Sequence, residues 1–147
     1  MKLNKIFIVF ISMLLISLII GCSNGIKNVG DKIVVEKQIN GENKYEFYNE
    51  IKDSKDVQNA KNILNRIKWE NAQVNMVHPA EYKFHFEDTK SKTSGEVYAL
   101  WISPNKDKIE LVIDSKIKYV QLDKEKSKEL FKIITGKNLG EAYENKN

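Results

Sequence analysis

Apolar and polar residues alternate with a period of two along much of the chain, which is typical of strands with one buried face. These runs predict strands over residues 33–39, 45–51, 82–87, 97–102, 109–113 and 117–122. The Asn40-Gly41 pair favours a turn between the first two strands. Short connections between the last four strands predict an antiparallel meander.

Two of these strands carry further information. In the second strand, the apolar residues Tyr45, Phe47 and Ile51 alternate with Glu46, Tyr48 and Glu50. Residues 97–102 are apolar at every position, so this segment is predicted to be a central strand that is covered on both faces.

The period changes to that of a helix after the second strand. Apolar residues lie on one stripe at positions 57, 60, 63, 64 and 67, and either Asp53 or Ser54 can cap the first turn. The pattern predicts a helix that runs to about Lys68. Trp69 follows, and we expect it to pack back on the core.

A second amphipathic helix is predicted to begin after Asp123 and to end at Gly136, with an inner face formed by Ser127, Leu130, Phe131 and Ile134. The order of elements predicts an α+β fold, in which an antiparallel sheet of about six strands, including the C-terminal four-strand meander, is covered by two helices. We expect a single domain over residues 33–136 and a frayed tail over residues 137–147.

The amino terminus has the layout of a secretory signal peptide over residues 1–21. Lys2 and Lys5 precede an uncharged apolar run from Ile6 to Ile20. As a helix, this run would be about 22 Å long, which is short of the roughly 30 Å thickness of the hydrocarbon core of a bilayer. A permanent membrane span is therefore the weaker interpretation.

The end of the run, Ile19-Ile20-Gly21-Cys22, resembles the lipobox of bacterial lipoproteins. The resemblance implies that a diacylglyceryl group is attached to Cys22 and that the chain is cleaved after Gly21. The alternative is that Cys22 is an incidental thiol or a small buried residue. Residues 22–32 are then predicted to be the lipidated Cys and a flexible tether, which places the domain on the extracytoplasmic face of the cell membrane.

Charge and cysteine content narrow the class of protein. The 147 residues include 24 Lys and Arg, 20 Asp and Glu and one Cys, so no internal disulfide can form. The formal charge of +4 falls to +2 when Lys2 and Lys5 leave with the signal peptide. Arg66 is the single Arg, and the Lys residues are spread along the chain, so nucleic acid is not an expected partner. The remaining positive charge predicts only a weak attraction to anionic lipid headgroups or wall polymers.

Candidate reactive residues are few. His78 and His85 are the only imidazoles, and because they are seven residues apart on different elements, we expect no shared metal. Two strings, Ser103-x-x-Lys106 and Ser115-x-x-Lys118, match the Ser-x-x-Lys pattern of penicillin-recognising enzymes, but a Lys-rich chain should contain such strings by chance. We therefore expect no enzyme, no catalytic residue and no cofactor, and a small hydrolase is the least favoured hypothesis.

Several segments together resemble a known family. They are the lipobox, Trp69, residues 78–82 (HPAEY), residues 97–103 (VYALWIS) and residues 128–134 (KELFKII). These segments are similar to the YhfM-like group of small lipoproteins from Gram-positive spore-formers, over about residues 33–136. The resemblance implies an extracytoplasmic α+β domain, and it carries over no functional residue other than the lipidated Cys22.

The functional prediction is a lipid-anchored binding or interaction module that is not an enzyme. Its expected partners are the bilayer, through Cys22, and an unidentified protein or wall polymer. The alternative is an inhibitor or immunity-type protein that presents Tyr48, Tyr98 or Trp101 to a secreted enzyme. The deciding observation is whether one sheet face lacks a helix and carries exposed aromatic residues.

Overall fold

The alternating segments pair into one seven-stranded antiparallel sheet, and both helices pack on the same face of that sheet. A computed structural model describes residues 26–141. The elements, in chain order, are β1 (Lys32–Gln38), β2 (Tyr45–Ile51), α1 (Ser54–Arg66), β3 (Glu70–Asn71), β4 (Tyr82–Glu87), β5 (Tyr98–Ile102), β6 (Ile109–Ile113), a 3-10 turn (Asp114–Lys116), β7 (Lys118–Gln121) and α2 (Lys124–Thr135).

The strand order across the sheet is β2-β1-β4-β5-β6-β7-β3. The predicted α+β fold and the C-terminal meander are confirmed, and β5 is the central strand, with every residue buried. The strand that the sequence does not predict is β3. Its two residues, Glu70 and Asn71, are polar and exposed, so they leave no apolar pattern, and they join the sheet only by pairing with Tyr119 and Lys118 of β7.

Local signals define the helix boundaries. The Asp53 carboxylate accepts hydrogen bonds from the backbone nitrogens of the first turn of α1, so Asp53 and not Ser54 is the cap. The helix ends at Arg66, two residues before the predicted end, because Ile67 has an extended backbone. Trp69 packs on the core as predicted, with its ring centroid 6.0 Å from that of Tyr98.

The second helix follows the prediction closely. The Asp123 carboxylate accepts from the Lys126 nitrogen at 2.9 Å, and Gly136 ends the helix in a left-handed conformation with φ of 72°. The predicted inner-face residues are buried. Among them, the Ser127 hydroxyl accepts a hydrogen bond from the backbone nitrogen of Ile109 at 3.0 Å, which ties α2 to the start of β6.

Two hydrophobic clusters lie on opposite faces of the sheet. The main core lies between the sheet and the helices and contains Phe84, Tyr98 and Phe131, with the rings of Phe84 and Tyr98 stacked 4.9 Å apart. A smaller cluster on the outer face consists of Ala80, Ala99, Trp101 and Val112, with Val74, Met76 and Tyr119 packed against it. Residues 72–81, which connect β3 to β4, supply part of this cluster and cover this half of the outer face.

Residues 26–31, which belong to the predicted tether over residues 22–32, make defined contacts with the domain. Asn28 donates to the Asn65 side chain at 2.9 Å and accepts a hydrogen bond from the Tyr98 hydroxyl. Gly30 has φ of 139° and lies so close to Glu87 that a Cβ at this position would be 2.6 Å from the Glu87 carbonyl oxygen. Residues 26–31 are therefore fixed to the domain by contacts with residues that lie far away in the sequence.

The segment predicted as a frayed tail, residues 137–147, begins with residues that contact the domain. Leu139 is buried in the main core, three residues beyond Gly136, and Asn138 donates to the Glu141 carboxylate at 2.9 Å. An isolated apolar residue after a helix-ending glycine gives no periodic signal, so the sequence analysis missed it. Residues 142–147 lie outside the described residues.

Candidate functional site

The outer face of the sheet is divided into a covered half and an open half. Residues 72–81 cover β5, β6 and β7 and reach the start of β2, where the Tyr45 hydroxyl donates to the Ala80 carbonyl oxygen at 3.1 Å. No described helix covers the rest of β2, β1 and β4 on this face. We call the outward side chains of these three strands the open sheet face: Lys32, Val34, Glu36, Gln38, Tyr45, Phe47, Glu50, Lys83, His85 and Glu87. Cross-strand pairing places Phe47 and Lys83 on either side of Glu36, and His85 beside Val34.

A β-bulge places Phe47 on the open sheet face. Glu36 pairs with Phe47, but its neighbour Val35 pairs with Asn49, so Tyr48 is the extra residue. Because a one-residue shift reverses the direction of the side chains, Ile51 points into the core whereas Tyr45 and Phe47 point outward. The alternation seen in the sequence is thus interrupted, and Phe47 exposes 67% of its surface.

Tyr48, the bulge residue, points in the opposite direction. It is half-buried, and its ring packs edge-on against that of Tyr82 at 5.4 Å. Its hydroxyl donates to the carbonyl oxygen of Thr135, at the end of α2, at 3.1 Å. The bulge therefore places two consecutive aromatic side chains differently. Tyr48 anchors the edge strand to the helix, and Phe47 is left in solvent.

Lys32, Glu50 and Glu87 form a group of paired charges on the open sheet face. The Lys32 ammonium lies 2.6 Å from the Glu50 carboxylate and 3.1 Å from that of Glu87. The hydrogen bond to Glu50, followed by that to Glu87, raises the pKa of Lys32, and the bond from Lys32 lowers the pKa of Glu50. The Lys83 ammonium lies over the Tyr45 ring, 3.9 Å from its centroid. The open sheet face therefore combines an exposed aromatic residue, Phe47, with charged side chains that are partly paired with one another.

The covered half holds the other aromatic candidates. The indole nitrogen of Trp101 donates to the carbonyl oxygen of His78 at 2.8 Å, and this bond fastens residues 72–81 to β5. Trp101 is buried under this loop, and Tyr98 is fully buried in the main core, where burial raises its pKa. Both side chains are buried, so these two of the three aromatic residues named for an inhibitor interface pack within the fold.

The serines of the two Ser-x-x-Lys strings form hydrogen bonds within turns. Ser103 lines a groove of about 460 Å³ with His78, Glu81 and Lys106. Its hydroxyl accepts from the Lys108 backbone nitrogen at 3.1 Å and donates to the Asp107 carboxylate at 3.3 Å, within the β5–β6 connection.

Ser115 belongs to the 3-10 turn, and its hydroxyl donates to the Glu96 carboxylate. Neither of the two serines begins a helix. Both hydroxyls are thus engaged in local hydrogen bonds that stabilise connections between strands.

Neither histidine lies in a metal-binding group. His78 lies in the loop over Trp101 and is mostly exposed, and His85 lies on the open sheet face 3.9 Å from Glu87. Within residues 26–141, no three His, Cys, Asp or Glu side chains converge as metal ligands. In the same range, neither helix is long and apolar enough to cross a membrane. Cys22, the predicted lipidation site, lies outside the described residues.

Comparison with known proteins gives one family match and one similar solved structure. The family model described as YhfM protein matches residues 26–139. The crystal structure of a thioesterase-like protein from Clostridium sporogenes is similar with a TM-score of 0.48 and 14% sequence identity, over 70% of this chain and 92% of that chain. No curated protein sequence matches the chain.

Proposed function

The chain belongs to the YhfM family, and we propose that it is a lipid-anchored, extracytoplasmic binding module that is not an enzyme. The anchor is a diacylglyceryl group on Cys22, and the binding surface is the open sheet face. The observation that carries the binding role is Phe47, a large aromatic side chain that is mostly exposed at the centre of an edge strand.

Support for the anchor comes from the sequence. A basic start, an apolar run and a Gly-Cys pair follow one another within the first 22 residues, and Cys22 is the only cysteine. Two acyl chains hold a protein on a bilayer, whereas a single chain gives only marginal binding.

Mass spectrometry of the native protein tests the anchor. We expect a chain that begins at Cys22 and carries the added mass of a diacylglyceryl group. An intact Met1 or an unmodified Cys22 thiol would refute the anchor.

Support for the binding surface comes from its chemistry. Edge strands carry unpaired backbone groups, and aromatic residues are the favoured anchors of protein interfaces. On the open sheet face, Tyr45 and Phe47 lie side by side, Lys83 lies over the Tyr45 ring, and Lys32 is paired with Glu50 and Glu87. An anionic wall polymer would need unpaired positive charge, so a protein surface with an apolar patch fits this face better.

Photo-crosslinking in the native membrane tests the surface. We expect a crosslinking residue at position 47 to give a discrete protein adduct, and Tyr45→Ser to reduce its yield. The matched control is the same residue at position 129, on the exposed side of α2, which should give no such adduct. Equal adducts from both positions, or none from position 47, would contradict the proposed surface. If the captured partner is a secreted enzyme, its loss of activity in the complex would identify an inhibitor.

A further inference from the structure

Three of the exposed large hydrophobic residues within residues 26–141 lie at one end of the sheet. Because the strands are antiparallel, β1 begins, β4 ends, β5 begins, β6 ends and β7 begins at this end. We call it the entry end, since the N-terminal segment joins the domain here. Its exposed apolar residues are Val29, Val97 and Ile117, which expose between 48 and 57% of their surface.

Val29 lines a groove at this end, and Val97 and Ile117 each directly follow a residue that lines it. A groove of about 550 Å³ is lined by Lys27, Val29, residues 93–96 and Lys116. Val97 follows Glu96 directly, Ile117 follows Lys116 directly, and a salt bridge of 3.2 Å joins Lys116 to Glu96. All three apolar residues therefore lie at the groove or directly beside its lining residues along the chain.

The backbone at Ile117 is strained in a way that keeps its side chain exposed. Ile117 has φ of 52° and ψ of 50°, the left-handed conformation that β-branched residues rarely adopt. Glycine or asparagine would fit this turn without strain. An isoleucine in this conformation with 57% of its surface in solvent is an unfavourable choice for a turn, and an apolar contact outside the chain would account for it.

The length of chain before Ile26 identifies the contact. If Cys22 carries lipid, only residues 23–25 separate it from Ile26, and this stretch spans at most about 14 Å. Ile26 packs against the main core, and Asn28 is bound to Tyr98, so the anchored segment cannot swing away from the entry end. The entry end is therefore held next to the headgroups.

We propose that the entry end docks on the bilayer, with Val29, Val97 and Ile117 entering the boundary between headgroups and acyl chains. The proposal rests on the proposed lipid anchor at Cys22. The residues of this end carry nearly balanced charge, since six Lys (27, 32, 90, 92, 116 and 118) accompany five acidic residues (Asp31, Glu87, Asp88, Glu96 and Asp114). The docking is thus apolar and persists at high salt. It holds the strands upright and leaves the open sheet face accessible.

The test uses the full chain, processed in a bacterium, purified in detergent and reconstituted in vesicles of phosphatidylglycerol and phosphatidylethanolamine. The variants Ile117→Cys and Val97→Cys introduce a thiol for a fluorescent label. The matched control is Val77→Cys, because Val77 is also apolar and fully exposed, but lies beside Trp101 and Pro104 near the opposite end of β5.

We expect a nitroxide attached to the lipid chains to quench the labels at positions 117 and 97 at least threefold more than the label at position 77, at low and high salt. Equal quenching at the three positions in vesicle-bound protein would overturn the docking. Loss of the difference at high salt would also overturn it. The parent chain separates this outcome from failure of the anchor, since reaction of its Cys22 with the label would show that no lipid is attached.

Discussion

Replacing Trp101 by Phe tests whether one hydrogen bond holds residues 72–81 over the outer face. The indole nitrogen of Trp101 donates to the His78 carbonyl oxygen at 2.8 Å, across 23 residues of sequence. Phe keeps most of the buried ring but leaves this carbonyl without its donor. The lost hydrogen bond costs about 1 kcal/mol, and the lost apolar surface costs about 1 kcal/mol more. We therefore expect the free energy of unfolding to fall by about 2 kcal/mol.

The matched control is Trp69→Phe on the other face of the sheet. Trp69 is as buried as Trp101, but its indole nitrogen donates to the Leu64 carbonyl oxygen at a longer distance of 3.4 Å. This substitution removes the same apolar surface and a much weaker hydrogen bond, so we expect a loss of about 1 kcal/mol.

Two measurements test whether the Trp101–His78 hydrogen bond holds residues 72–81 in place. Urea unfolding gives the two free energies, and each variant keeps one Trp as its fluorescent probe. Thermolysin digestion under native conditions should cut residues 72–81 in Trp101→Phe and leave them intact in Trp69→Phe, because only the first substitution releases the loop. Equal free energies and equal cutting of the loop would refute the claim that this hydrogen bond fastens it.

Three further substitutions or conditions test other parts of the structure. Ser127→Ala should lower the free energy of unfolding by about 1–3 kcal/mol in urea, because the buried Ile109 nitrogen loses its acceptor. Gly30→Ala should lower the melting temperature and expose residues 26–31 to proteolysis, since its Cβ would collide with Glu87 at a positive φ. Burial raises the pKa of Tyr98 above that of an unfolded tyrosine, so its neutral form stabilises the fold fully below about pH 10, and this stability is lost as the pH rises further. In chemical unfolding at several pH values, Tyr98→Phe should reduce the loss above pH 10.

The elements that could be predicted from the sequence are those whose signals are local. Asp123 caps α2 with its own carboxylate, and Gly136 ends the helix because the chain there needs a left-handed residue. The meander follows from runs of alternating residues joined by short connections. In each case, the residues that form the signal also form the structure, so no knowledge of distant contacts is needed.

The open sheet face could not be predicted because it depends on a β-bulge, in which one extra residue interrupts β2. Tyr45, Phe47 and Ile51 have the same parity, and a regular strand would place all three on one face. The bulge at Tyr48 changes the face between Phe47 and Ile51. Tyr48 itself offered the only hint, as an apolar residue out of phase with its neighbours. Pairing with β1 selects the face, and this pairing is a property of two strands together.

The N-terminal segment shows how composition misleads when its partners are distant. Asparagine and glycine made residues 22–32 look flexible, since both are common in turns and linkers. Yet Asn28 binds the Tyr98 hydroxyl 70 residues away, and Gly30 fits against the Glu87 backbone because it lacks a side chain. Asn and Gly would make a free tether flexible, but here Asn28 and Gly30 attach the segment to the domain. An anchor on Cys22 would therefore hold a segment that is fixed to the sheet, and the orientation of the whole domain would follow from that attachment.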